Sequence, residues 1–114
     1  MIMAIIKEIP IDKEEMENLF FAMGDKSRRQ IVYSLMEESK PIKDLASPLG
    51  ITITGATQHI KILEKANIVI SRKIGRERVC EFNPQGFNML ENFAKYYREM
   101  WHNRFDNLRD IVEN

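Results

Sequence analysis

The spacing of apolar residues changes near residue 68, and this change constrains the fold more than any other feature. Before that point apolar positions recur at helical spacing, in segments separated by glycine, proline and polar residues. Two β-prone runs then flank Gly75, Ile68-Val69-Ile70 and Val79-Cys80-Glu81-Phe82, which is the pattern of an antiparallel hairpin. A long helical pattern follows. The sequence therefore predicts a mainly α fold with one small β-hairpin (α+β), in the order helix, helix, short helix, helix, hairpin, helix.

Aspartates predict where the first two helices begin. Asp12 and Asp25 each precede an apolar-periodic segment, and an aspartate carboxylate can accept from the free amides of a first helical turn. Gly24 separates the two segments. The apolar residues at helical spacing on the first helix are Met16, Leu19, Phe20 and Met23, and the second helix is predicted to bury Ile31, Val32, Leu35 and Met36.

A glycine turn separates the next two helices. The short third helix covers residues 42–46, is broken by Ser47-Pro48 and turns at Gly50. Thr52 caps the fourth, which runs from about 53 to 66 with Ala56, Ile60 and Leu63 inward. We predict one domain over residues 1–114, with a core of helices and hairpin at 12–82 and a C-terminal helix at 84–113.

The short helix, the glycine turn and the fourth helix form a helix-turn-helix pattern. Its second helix can enter a DNA major groove about 12 Å wide if the leading side chains are short or able to hydrogen-bond. Gly55 has two explanations, either close approach of the backbone to DNA or simple tolerance near a helix start. The candidate DNA contacts on this helix are Thr52, Thr54, Gly55, Thr57, Gln58, His59 and Lys61.

Positive charge is concentrated in the same part of the chain. The whole sequence has a net charge of zero, but residues 51–82 contain six Lys or Arg against three Glu. Four of these cations surround Gly75 and predict a basic hairpin tip suited to phosphates or an adjacent minor groove: Arg72, Lys73, Arg76 and Arg78. We predict a double-stranded DNA partner.

Three stretches resemble the ArsR/SmtB winged-helix repressors: residues 23–31, 45–52 and 56–69. The resemblance implies a homodimer that binds an imperfect palindrome and blocks transcription. It also implies that the helix beginning near Thr54 is the recognition helix and that residues 72–78 are the wing. Because the family carries histidine at the position of His59, we favour a DNA backbone contact for this residue over a structural role.

The ligands of the family's metal sensors have no counterpart at the matching positions. Pro41 and Lys43 stand where one metal site has cysteines, and the last helix has only His102 where another has paired ligands. The chain thus resembles a metal-independent branch, and we predict no metal and no cofactor. Cys80, in the predicted hairpin, is interpreted as a packing residue because a redox sensor usually needs a resolving partner.

The last helix is apolar on two faces and therefore needs two surfaces to bury against, its own domain and a second copy of the chain. Together with the first helix it supplies the predicted dimerisation residues: Leu19, Phe20, Leu90, Phe93, Tyr97, Trp101, Leu108 and Ile111.

Several function classes fit the sequence poorly. It has no glycine-rich phosphate loop, nucleophile elbow or metal-ligand cluster, which argues against an enzyme. No apolar stretch is long enough for a membrane span, and we expect a cytoplasmic protein. The alternative function is a winged-helix module that docks proteins without specific DNA binding. The sequence leaves open whether a small effector, a partner protein or abundance alone would regulate DNA binding.

Overall fold

The computed structural model describes residues 12–113, with side chains described through residue 104. Residues 1–11 and the side chains of Leu108 and Ile111 lie outside this part. The elements are the helices α1 Lys13–Met23, α2 Lys26–Glu37, α3 Ile42–Leu49, α4 Ile53–Lys65 and α5 Asn88–Glu113, the strands β1 Lys40–Pro41, β2 Val69–Ile74 and β3 Glu77–Phe82, and a 3-10 turn at Pro84–Phe87. The predicted order is confirmed, with β1 as an addition.

Side-chain caps begin three of the helices, as predicted. The Asp12 carboxylate accepts from the amides of residues 14 and 15 at 2.9 and 3.2 Å, and the Asp25 carboxylate accepts from the Arg28 amide at 3.1 Å. The Thr52 hydroxyl accepts from the Gly55 amide at 3.0 Å. Each such cap typically stabilises a helix by about 1 kcal/mol.

Helix α4 ends in a left-handed turn that leads directly into the sheet. Asn67 has φ +61°, and its amide donates to the Glu64 carbonyl at 2.9 Å while the Ile68 amide donates to the Leu63 carbonyl at 3.0 Å. This pair of bonds satisfies carbonyls that the end of the helix would otherwise leave free. Asn83 then ties the far end of the hairpin to this turn, donating from its amide group to the Asn67 carbonyl at 2.8 Å.

The core forms where α1 to α4 meet the sheet, with Ile31, Ile60, Leu63 and Ile68 almost completely buried. The prediction for Met36 is wrong, since its side chain is 59% exposed. Leu35, one position earlier on the same helix, is buried as predicted.

The predicted break in the third helix is also wrong. α3 continues through Pro48 to Leu49 and ends at Gly50, which has φ +65°. Proline removes one backbone donor, which would have paired with the carbonyl of Asp44 four residues earlier. Burial of Ile42, Leu45 and Ala46 holds the short helix in place despite that loss.

The sheet is antiparallel with the order β1-β3-β2. Ile74 pairs with Glu77, so the hairpin turn consists of Gly75 and Arg76 alone. Gly75 has φ +63°, a conformation that glycine adopts without steric cost. No helix in the described part of the chain is both long and apolar enough to span a bilayer.

Candidate nucleic-acid interface

The first turns of α4 present a mostly polar exposed surface. Thr52, Thr54, Gln58 and Lys61 are exposed, while Gly55, Thr57 and His59 are half-buried. The Thr57 hydroxyl donates to the Ile53 carbonyl at 2.8 Å, so this group is hydrogen-bonded within α4. The exposed candidates on α4 thus share one face of the helix, and the half-buried ones flank that face on both sides.

Sequence reasoning missed Ile53 on this surface. Its side chain is 59% exposed at the first position of α4. An exposed β-branched residue at the leading end of a helix is suited to apolar contact with thymine methyl groups. The available signal was its position directly after the Thr52 cap, where it falls outside the inward-facing set of Ala56, Ile60 and Leu63.

Gly55 has a local structural role. A Cβ at this position would lie 3.3 Å from the Thr52 hydroxyl oxygen and 4.0 Å from the Cβ of Ile51. A larger residue would therefore press on the cap that starts α4. This accounts for a glycine here without invoking DNA, and close approach to DNA stays a prediction.

Contrary to the prediction, the four basic residues of the hairpin do not all lie at its tip. Only Arg76 lies in the turn, because the strands extend further than the β-prone runs indicated. Lys73 and Arg78 are cross-strand partners and share one face, whereas Arg72 lies on the opposite face. Lys73 and Arg78 on one face and Arg76 in the turn therefore form the basic surface of the hairpin, which we name the basic hairpin edge.

The cations of the basic hairpin edge differ from two neighbouring cations, which form ion pairs. Arg72 is 3.7 Å from the Glu81 carboxylate, and Lys43 on α3 pairs with Glu77. Lys73, Arg76 and Arg78 make no ion pair within residues 12–104. Like charges that face each other across a hairpin without an anion between them are unfavourable, and a bound phosphate would relieve that repulsion.

The predicted packing role of Cys80 agrees with its surroundings. The residue is completely buried within β3. Burial raises the pKa of its thiol to about 11, assisted by the nearby Glu64 carboxylate and opposed by Arg78. A thiol with a raised pKa is a poor nucleophile at neutral pH.

We expect Cys80 to resist alkylation as long as the protein is folded. At pH 8 the fraction ionised would be about one in a thousand, and burial blocks access as well. Mass spectrometry after iodoacetamide treatment should show labelling at least about a hundredfold slower in buffer than in 8 M urea. Rapid labelling of the folded protein would contradict the packing role.

Aromatic side chains form a continuous row from α1 along α5. The ring of Phe20 meets Phe93 at 5.8 Å, Phe93 stacks on Tyr97 at 6.0 Å, and Tyr97 meets Trp101 at 6.1 Å. Leu90 and Phe93 are half-buried against the core. We name the row formed by Phe20, Phe93, Tyr97 and Trp101 the aromatic row.

Leu19 does not belong to this surface, although it was predicted as a dimerisation residue. It is 2% exposed and packs in the core of the single chain. Phe20, the next residue, lies about 100° further around α1 and supplies the exposed aromatic ring. The described part of the chain contains no group of three His, Cys, Asp or Glu side chains arranged to hold a metal ion.

Residues 25–71 match the family model described as bacterial regulatory protein, arsR family. The HTH-type transcriptional regulator Rv2034 of Mycobacterium tuberculosis is 33% identical over 69 residues, which cover 60% of this chain and 64% of that relative. The match thus spans slightly less than two thirds of the relative's length.

Solved structures resemble this chain over most of its length. An ArsR-like transcriptional regulator from Rhodococcus sp. RHA1 has a TM-score of 0.77 at 22% identity, covering 87% of this chain and 93% of its own. A homodimeric winged helix-turn-helix DNA-binding domain from Mycobacterium bovis has a TM-score of 0.61 at 16% identity, covering 75% and 80%. These likenesses show the winged helix-turn-helix fold. The proteins compared are described as transcriptional regulators or their DNA-binding domains, not as enzymes.

Proposed function

We propose that this chain is a transcriptional repressor of the arsR family that binds a palindromic operator as a homodimer; the match of residues 25–71 to that family's model supports the proposal. α4 enters the major groove, and the hairpin at residues 72–78, the wing, contacts the backbone or the minor groove. The observation that carries the proposal is the exposed polar face of α4 together with a basic hairpin edge that has no internal counterion.

The exposed side chains of α4 are suited to reading base edges. Gln58 can make a bidentate contact to adenine, and Thr54 and Ile53 can meet thymine methyl groups. Lys61, two turns from the start of the helix, is long enough to reach a phosphate. These contacts would supply the sequence preference.

The hairpin would supply affinity that depends little on sequence. Each cation that neutralises a phosphate releases a condensed counterion, so binding weakens as salt increases. Arg76 in the turn and the Lys73–Arg78 pair are the groups available for such contacts.

A dimer would position two recognition helices on one operator. Helices related by a two-fold axis can meet successive major grooves about 34 Å apart. Support comes from the exposed aromatic row, which gives each chain an apolar surface for a partner.

Fluorescence anisotropy with a labelled duplex, titrated at several salt concentrations, tests the proposal. We expect steep weakening with salt, no effect of added Zn²⁺, and a loss of about tenfold or more in the Arg76→Ala/Arg78→Ala variant, with a salt slope reduced by about two. The matched control is Lys95→Ala/Arg98→Ala, which removes the same charge from exposed positions of α5.

Equal losses in the two double variants would mean that net charge alone, and not the hairpin edge, determines binding. Failure of the wild-type protein to bind any duplex at low salt would overturn the proposal. That outcome would favour a winged-helix module that docks proteins.

A further inference from the structure

Arg28 is a charged residue that the structure buries at the junction of three helices. It is 8% exposed, and its guanidinium lies over the ring of Phe21 at 5.0 Å. Its Nε donates to the Ala22 carbonyl and its Nη2 to the Phe21 carbonyl, each at 2.8 Å. These carbonyls end α1, where a positive charge is favourable. Arg28 therefore holds the end of α1 against the start of α2.

The remaining side of the guanidinium faces the recognition helix. Its Nη1 lies 3.3 Å from Nδ1 of His59 on α4. Guanidinium nitrogens only donate hydrogen bonds and do not lose their proton in proteins. The Nδ1 of His59 must therefore be the acceptor, so that a neutral imidazole here carries its proton on Nε2.

Asp25 completes the charged groups at this junction. The hydrogen bond from the Arg28 amide and the positive charge of the Arg28 guanidinium lower the pKa of its carboxyl against the opposing effect of burial. Asp25 therefore stays ionised at neutral pH. Its negative charge balances Arg28 without an ion pair to that guanidinium in the described part of the chain.

The Nε2 of His59 makes no hydrogen bond within residues 12–104. The ring is half-buried and adjoins Gln58 on the exposed face of α4. A donor at the margin of a groove-facing surface is placed to meet a phosphate rather than a base edge.

We propose that Arg28 is a positioning residue for DNA binding, which holds His59 in the Nε2–H tautomer and thereby presents that N–H to a phosphate of the operator. The inference rests on the proposed function, because the phosphate must come from DNA bound at α4. It assigns a role to an arginine that is itself buried.

Long-range ¹H–¹⁵N NMR of the full chain tests the tautomer without DNA. The chain has two histidines, and His102, exposed on α5, serves as the internal reference. At pH 8.5, where histidine in water is neutral, we expect His59 to show a fully unprotonated Nδ1 and a protonated Nε2. His102 should show averaging between tautomers. In Arg28→Met, which has no donor for Nδ1, His59 should resemble His102. In Arg28→Lys, whose ammonium group can still donate to Nδ1, His59 should keep the Nε2–H tautomer.

Two substitutions at position 59 test the phosphate contact. Asparagine keeps an acceptor near the Nδ1 position but lacks the outer donor, whereas glutamine places an amide donor near the Nε2 position. With a duplex selected from a random library by the wild-type protein, we expect His59→Asn to lose about tenfold in affinity, the contribution of one hydrogen bond to a charged group. His59→Gln should retain most of the affinity.

A proton on Nδ1 of His59, or a wild-type spectrum in which the two histidines are alike, would overturn the role of Arg28. Wild-type affinity in His59→Asn would overturn the phosphate contact. Absence of any duplex binding by the wild-type protein would instead overturn the proposed function and the phosphate contact with it. The NMR result would then still decide the tautomer.

Discussion

Replacing Tyr97 and Trp101 together with alanine is expected to make the protein monomeric and to lower its operator affinity about a hundredfold or more. Two half-sites held in one dimer bind with an effective concentration that raises affinity by about 10² to 10⁴ over a single site. A monomer loses this gain even when its own recognition helix is intact.

The geometry of the aromatic row is the reason to expect dissociation. Tyr97 is 47% exposed and Trp101 is 38% exposed, and both continue the row that begins at Phe20 and Phe93. Exposed aromatic surface of this extent is typical of interfaces. Tyr97 and Trp101 lie beyond the part of α5 that packs on the core, so their removal should leave the fold of the single chain intact.

Light scattering coupled to size-exclusion chromatography gives the mass in solution, and anisotropy with a selected operator gives the affinity. The control is Glu99→Ala, an exposed residue about 160° around the helix from Tyr97. A double variant that remains dimeric would refute the assignment of this surface. A monomeric variant with full affinity would refute the need for a dimer.

Local signals in the sequence predicted most of the fold. Asp12, Asp25 and Thr52 cap helices as expected because a cap depends only on residues two or three positions away. The inward face of α4 was also predicted correctly, since Ala56, Ile60 and Leu63 repeat at helical spacing and all three are buried.

Features that depend on contacts between distant residues were not predicted. The contact of Arg28 with His59 joins positions 31 residues apart, and no spacing rule connects them. Strand length was underestimated because Arg72, Lys73 and Arg78 read as a polar loop, although cross-strand pairing holds them in the hairpin. Helical periodicity likewise identified an apolar face on α1 but did not separate buried Leu19 from exposed Phe20.

Substituting Gly86 with alanine is expected to destabilise the protein by about 3 kcal/mol, because a side chain there would overlap the backbone of the turn that ends α4. A Cβ at residue 86 would overlap the carbonyl oxygen of Asn67 and lie 2.7 Å from its carbonyl carbon and 3.0 Å from the Cα of Ile68. The same carbonyl oxygen accepts the amide hydrogen bond of Asn83. The backbone at Asn67 and Ile68 cannot shift without breaking the junction of α4, the sheet and α5.

Thermal unfolding at fixed protein concentration measures the effect, and the melting temperature should fall by more than about 10 °C. Gly75→Ala is the matched control: a Cβ there meets nothing within 4 Å, so only its left-handed φ of +63° is penalised, by about 1 kcal/mol. If the two variants lost equal stability, conformational freedom rather than close backbone approach would explain Gly86. A melting temperature unchanged by Gly86→Ala would mean that the turn at Asn67 and the start of α5 are further apart in solution. The larger loss at Gly86 is expected because backbone overlap, unlike an unfavourable φ, cannot be relieved by a local change of one residue.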